Sequence, residues 1–247
     1  MTSDLVVVGL GQLGELLATG ALRAGLRVTP VLRSTPRPLD FSAVPPETPV
    51  LLAVGEGWEK AAADVPAARR GDVVVLQNEI FPSSLVDAGL PHATVLMVWF
   101  NRKAFAPPQP GPPSQALGKH AAVMQHIHAA TGLPCEVLDA SRLPEVLAAK
   151  YAFIATINIL GVRQEQTVGA WFQAHAPEAN AVLEDVLTLA ARLCDTPLTP
   201  ALRQQVQHAL NVHAALPARG RTSLARLQRA RAHAARLGLR LNTFLGE

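Results

Sequence analysis

The stretch Asp4-Leu5-Val6-Val7-Val8-Gly9-Leu10-Gly11-Gln12-Leu13-Gly14 decides how the first half of the chain is read. Leu5 to Val8 is apolar without alternation, the pattern of a strand buried on both faces of a sheet. Three glycines follow at the spacing GxGxxG, and Gln12–Ala24 then carries a helical pattern that Gly25 stops. Strand, glycine turn and helix in this order form a dinucleotide-binding fingerprint. Gly9 permits the tight turn, Gly11 lets a pyrophosphate approach the backbone, and Gly14 lets the helix pack on the strand. Backbone N–H groups at Gln12 and Leu13 and the positive end of the helix would face the pyrophosphate. The alternative is a strand–helix turn that binds nothing.

Working outward, further strand patterns fall at Arg27–Leu32, Val50–Val54, Asp72–Gln77, Thr94–Trp99 and Cys135–Asp139, with a helix at Lys119–Thr131. Prolines crowd residues 106–113, which excludes helix and central strand and predicts a stiff surface connection. From Ser141 onward strand patterns vanish. Helical patterns cover 143–161, 165–175, 178–194, 200–215 and 222–237, and Thr199-Pro200 supplies a capping hydroxyl followed by a first-turn proline. The expected fold class is α/β: an N-terminal Rossmann-type parallel-sheet domain, 1–140, followed by an all-helical C-terminal domain, 141–247.

The end of the second strand bears on which dinucleotide would bind. A site for NAD usually carries an acid there, to accept from the ribose hydroxyls. This chain reads Val31-Leu32-Arg33-Ser34-Thr35-Pro36-Arg37, with no acid before Asp40. Arg33 can pair with a 2′-phosphate, and Ser34 and Thr35 can donate to it. The expected cofactor is therefore NADP(H), the alternative being that Arg33 is a surface arginine.

Composition narrows the remaining classes. With 247 residues, 49% hydrophobic and 17% charged, the chain can bury a sizeable core and is not of disordered type. The apolar stretch Tyr151–Val162 is too short to span a bilayer and contains Asn158, so no membrane is expected as a partner. The N-terminus lacks the layout of a signal peptide, so a cytoplasmic location is expected. The net charge of +3 permits an anionic ligand. Arg226, Arg229, Arg236 and Arg240 recur at helical spacing and are read as a solvated face, without the aromatic interleaving of a nucleic-acid binder. Cys135 and Cys194 have no CxxC spacing and are read as buried, inert thiols. His120, His126 and His128 are read as decorating a helix surface, with no metal expected, and Trp58, Trp99 and Trp171 as packing residues.

Of only four lysines, Lys150 stands out because it interrupts an apolar helix, Val146 to Val162, with Ile154 and Asn158 following on the same face. An ammonium there can donate a proton to a carbonyl oxygen while hydride arrives at carbon, and burial would lower its pKa into the useful range. The competing reading is a snorkelling lysine beside a hydrogen-bonded amide.

Taken together, the chain resembles the ketopantoate reductase (2-dehydropantoate 2-reductase) family over nearly its whole length. The resemblance rests on Gly9-x-Gly11-x-x-Gly14, on Gln77-Asn78 closing the fourth strand, on the helix with Lys150 and Asn158, and on Gly220-Arg221-Thr222. It implies a Rossmann domain plus a helical domain with the substrate in the cleft between them. It also implies NADPH-dependent reduction of a 2-keto acid to the hydroxy acid, as in pantothenate biosynthesis. By the same resemblance Lys150 would be the general acid, Asn158 a substrate-binding amide, and Asn78 a polar group beside the nicotinamide and the reacting centre.

Departures from the family pattern are as informative. The family's second asparagine after the lysine is Ile154 here, its glycine after Gln-Asn is Glu79, and its Thr-Glu near the end is Thr222-Ser223. A lysine common after the third strand is missing from Val54-Gly55-Glu56-Gly57, and Asn211–Ala214 offers no clear match for a substrate-binding serine. A site without those contacts loses discrimination for the ketopantoate hydroxyl. The expected substrate is a different, more apolar keto acid or related carbonyl. The alternative from another class is a catalytically altered NADP(H)-binding or sensing protein that keeps the fold. A homodimer interface, if one forms, is expected on the helical domain, although no residue marks it.

Overall fold

The computed structural model describes residues 4–37, 39–76, 78–102, 106–109, 111–220 and 222–241. Gln77, Lys103 and Arg221 lie outside the described residues. The chain divides into two compact units, one of Met1–Gln77 with Pro82–Leu143, the other of Asn78–Phe81 with Pro144–Glu247.

The first unit is a seven-stranded sheet flanked by helices. In chain order it runs β1 (Asp4–Val8), α1 (Gln12–Arg23), β2 (Arg27–Val31), β3 (Val50–Leu52), α2 (Trp58–Ala63), β4 (Val73–Val75), α3 (Pro82–Asp87), β5 (Thr94–Met97), β6 (Ser114–Leu117), α4 (Ala121–Thr131) and β7 (Cys135–Val137). The strand order is β2-β1-β3-β4-β5-β6-β7. Strands β1 to β5 are mutually parallel, β6 is antiparallel to β5, and β7 is parallel to β6. The unalternating apolar runs are explained by position: every residue of β1, β3, β4 and β5 is buried. Strand β2 lies at the edge, where Pro30 is tolerated because its missing N–H interrupts no central ladder. Leu5, Val7, Leu51, Val74 and Leu96 from the sheet pack with Leu17 and Ala21 of α1 and with Met124 and Ile127 of α4.

Because β1 is flanked by β2 on one side and β3 on the other, the strand order reverses there. Such a switch point opens a crevice at the carboxyl ends of the strands, and in this fold class ligands bind in it.

Strand β6 was not expected. Ser114-Gln-Ala-Leu lacks β-branched residues and follows prolines, so local propensity is silent; its two neighbours in the sheet supply the pairing. The proline-rich connection preceding it is pinned by a backbone pair between Asn101 and Gln109, with N···O distances of 3.0 and 2.7 Å.

Two of the three histidines read as surface decoration are buried. His128 Nδ1 donates to Met124 O at 2.9 Å, and its Nε2 is buried with no partner among the described residues. His120 Nε2 lies 3.2 Å from Asp72 Oδ1. Asp72 also receives Lys119 Nζ at 2.9 Å and Arg69 Nε at 3.1 Å. Burial works to raise the Asp72 carboxyl, but hydrogen bonds from Lys119 and His120 outweigh it and hold the group below the usual carboxylate range. The histidines' crowding in one segment predicted surface decoration, but it said nothing of the distant partners that bury His120 and His128.

The second unit is helical: α5 (Leu143–Arg163), α6 (Val168–Ala174), α7 (Ala176–Leu193), α8 (Pro200–Val212) and α9 (Ser223–Arg236). Thr167 Oγ1 accepts from Ala170 N to cap α6, and Thr199 Oγ1 accepts from Leu202 N ahead of Pro200 to cap α8. The long helix, with the turn before it (Ala140–Arg163), is apolar enough to cross a membrane by length and a hydropathy of 1.5, a property the interruptions at Lys150 and Asn158 hid. Its most apolar window is 83% buried within the protein, as in a core helix.

Of the two thiols read as buried, Cys194 is buried and Cys135 is only half-buried, at the start of the edge strand β7. Burial pushes both Cys135 and Cys194 up to about 12, which keeps them protonated and unreactive. Trp58, Trp99 and Trp171 are all buried.

Candidate functional site

The turn after β1 has little freedom. Gly9 has φ +91°, a conformation costly to other residues, and a Cβ there would stand 2.8 Å from Ala53 O. A Cβ on Gly14 would stand 2.0 Å from Gly9 O, so only glycine lets α1 seat against the strand end. Gly11 differs: it begins α1 in extended backbone, with no side-chain cap, and a Cβ there would meet nothing within 4 Å. Gly11 brings no side chain to cap the first turn of α1, and the space beside its Cα is open, which suits a pyrophosphate. Gln12 is exposed, whereas Leu13 packs partly on the core.

At the end of β2 the chain turns tightly, with Leu32 N donating to Thr35 Oγ1 at 2.9 Å and Thr35 N to Leu32 O at 3.1 Å. Arg33 and Ser34 form the exposed tip of that turn. Arg37 pairs with Asp64 at 3.4 Å. One group near the glycine turn was missed: Arg102 Nη1 donates to Gln12 O, and Nη2 lies 3.6 Å from Glu15 Oε2. Nothing local to Arg102 signals this, because it meets α1 only through the fold.

In the helical unit the decisive side chain is Lys150. It is 5% exposed, and its Nζ lies 5.5 Å from the centroid of the Phe153 ring. Burial, helped by the Arg226 guanidinium, brings its pKa down from 10.5 to about 7. Eight residues along α5, Asn158 is 7% exposed and engaged at both ends of its amide. Nδ2 donates to Ile154 O at 2.8 Å, and Oδ1 accepts from Ser223 Oγ at 2.7 Å. Ser223 Oγ in turn accepts from Gly220 N at 2.8 Å. Ser223, where the family carries a carboxylate, thus ties the start of α9 to α5.

Glu79 and the arginines of α9 form a second cluster. Glu79 Oε1 accepts from Arg226 Nη1 at 2.8 Å and Oε2 from Arg229 Nε at 2.7 Å; Arg226 Nε also donates to Thr222 Oγ1 at 3.0 Å. The Arg226 and Glu79 side chains are 13% and 19% exposed. The reading of α9 as one solvated basic face is therefore corrected: Arg236 and Arg240 are exposed, but Arg226 turns inward. The acid that turns it inward lies 147 residues away, beyond the reach of any periodicity argument. Phe81, two residues after Glu79, stacks edge-on against Tyr151 at 5.2 Å and His233 at 5.3 Å, which fixes this segment beside Lys150's neighbour. Asn78 is exposed.

No protein-family profile and no curated protein matches the chain. Solved structures do. The 2-dehydropantoate 2-reductase of Methylococcus capsulatus superposes with a TM-score of 0.69 at 14% identity, over 96% of this chain and 92% of that one. The ketopantoate reductase of Ralstonia eutropha JMP134 gives 0.64 at 16% identity, over 96% and 93%. The fold is that of the ketopantoate reductases. A D-mandelate dehydrogenase, solved with NADH and anilino(oxo)acetate, shares the fold at a TM-score of 0.65 and 11% identity, over 97% of this chain and 94% of that one. At such identities the likeness speaks for the ketopantoate reductase architecture. The chemistry has to be argued from this chain's own residues.

Proposed function

We propose that the protein is an NADPH-dependent oxidoreductase that reduces a 2-keto acid or a related carbonyl to the hydroxy acid. The observation that carries the reading is Lys150: a buried lysine whose pKa of about 7 lets it hold and release a proton near neutrality. The named activities of the fold's other members, ketopantoate reduction and D-mandelate dehydrogenation, support the same reaction type.

When bound, NADPH supplies hydride to the carbonyl carbon. The glycine turn would hold its pyrophosphate on the α1 N-terminus, with Gly9 and Gly14 setting the turn and Gly11, Gln12 and Leu13 presenting backbone. Arg33 and Ser34 would take the 2′-phosphate. Lys150 would give its proton to the carbonyl oxygen as the alkoxide develops and be left as a neutral amine, a state its burial favours. Asn78 would serve as a polar group near the reacting centre. Asn158, with both ends of its amide engaged, would act as a positioning group for α5.

Parallel fluorescence titrations with NADPH and NADH, followed by a keto-acid panel, test this. The expected result is tight NADPH binding, weaker NADH binding, and turnover that Lys150→Ala abolishes. Turnover retained in full by Lys150→Ala would sink the mechanism. A second reading, an NADP(H) sensor without catalysis, is favoured by Ile154 and Ser223 standing where the family has an amide and a carboxylate. It predicts NADPH binding with no turnover on any keto acid.

A further inference from the structure

We infer that Arg226 is the anchor for the substrate's carboxylate, with Glu79 and Thr222 holding its guanidinium in a fixed plane. The inference rests on the reductase reading and names the residue that would recognise the acid end of the substrate. Glu79 divides its two oxygens between Arg226 and Arg229, so Arg226 has a single monodentate contact with it. The remaining Arg226 bond, from Nε, goes to the Thr222 hydroxyl. Among the described residues Arg226 Nη2 meets no acceptor. A guanidinium oriented at two corners, with Nη2 uncommitted and only 13% of the side chain exposed, is pre-organised for a carboxylate.

The neighbourhood supports this assignment. Arg226 acts on Lys150 as a like charge and opposes its protonation. An anion on Arg226 removes that repulsion, which raises the Lys150 pKa when substrate is present and loads the acid with its proton. A 2-keto acid places its carboxylate one bond from the carbonyl, so an arginine for the first and a lysine for the second match its two ends. The arrangement also accounts for Glu79, where the family pattern has glycine: the acid fixes an arginine that takes over from the missing polar contacts.

The test uses the full chain and two probes, anilino(oxo)acetate and its neutral amide, titrated calorimetrically with and without NADPH. The wild type is expected to bind the acid roughly 10- to 100-fold more tightly than the amide, the range of a charge-assisted hydrogen bond. Arg226→Met is expected to bind the two alike while keeping its NADPH affinity, and to raise KM for keto acids by the same factor. Arg226→Lys, which keeps the charge for folding but not the planar fork, is expected to lose part of the preference, and it serves if Arg226→Met does not fold. An acid preference undiminished in the variants, or no acid binding by the wild type, overturns the inference. Arg226-dependent acid binding without turnover on any keto acid removes the reductase reading and leaves the anchor. Turnover untouched by the variants does the reverse.

Discussion

Replacing Lys150 with methionine should make the protein more stable and less active at once. The working runs from burial. In the unfolded chain Lys150 holds its proton up to about 10.5, and in the folded chain only up to about 7. Between those values the unfolded state binds a proton that the folded state does not. Stability therefore rises with pH across this window, by about 1.4 kcal/mol per pH unit, and is lowest on its acid side. The drop in pKa corresponds to about 5 kcal/mol, an upper bound on what Lys150→Met gains at pH 7. Methionine keeps the length and apolar volume, so little packing is lost. Urea unfolding of wild type and variant from pH 7 to 10 measures the difference; groups common to both, including Tyr151, whose phenol burial pushes up, cancel. The variant should start ahead and the gap should close toward pH 10. In the reductive direction kcat/KM of the wild type should fall above about pH 7 as the acid loses its proton, and the variant should lose roughly 10²- to 10⁴-fold in turnover. Parallel stability curves would refute the claim that Lys150 is desolvated, and the argument for its role as an acid would go with it.

Three further perturbations probe other parts of the chain. Gly14→Ala drives a methyl to 2.0 Å from Gly9 O, so α1 must shift; a loss of about 1–3 kcal/mol and of most NADPH affinity is expected from unfolding and titration. Arg33→Ala should weaken NADPH by roughly 10- to 100-fold and leave NADH unchanged; an equal loss for both would place Arg33 away from the 2′-phosphate. Asp72→Asn should lower the melting temperature at pH 7. Because the folded pKa of Asp72 is depressed, the stability it contributes is present above the unfolded pKa of 3.8 and is lost as pH falls through the folded value. Calorimetry from pH 2 to 7 should show the variant's deficit shrink at the acid end, and a constant deficit would assign it to packing alone.

The strand–turn–helix at Asp4–Arg23 was legible because each signal for it is local: an apolar run, glycines at fixed spacing, and a helical period. The helices of the second unit were legible for the same reason, down to the Thr199 cap. Strand β6 was not, because Ser114–Leu117 is a strand only by virtue of its two neighbours. Local pattern put His120, His128 and Arg226 on helix surfaces, but whether a surface meets water or protein depends on distant partners such as Asp72 and Glu79. Lys150 was legible as an anomaly, a charge inside an apolar helix. The arginine beside it was hidden in a run of similar arginines, and only the fold separates Arg226 from Arg236.

The membership of Asn78–Phe81 in the helical unit shapes how the chain can be assembled and cut. This short segment leaves the ribosome early, yet Glu79 and Phe81 find their partners at Arg226, Arg229 and His233 on α9, about 150 residues later. These contacts form only once α9 has been made, so the helical unit completes late in synthesis. A gene divided at residue 143 would give a first fragment carrying a stranded acid and an unburied phenylalanine. The second fragment would carry arginines without their counter-ion. Expression of the sheet alone therefore calls for a loop that replaces Asn78–Phe81.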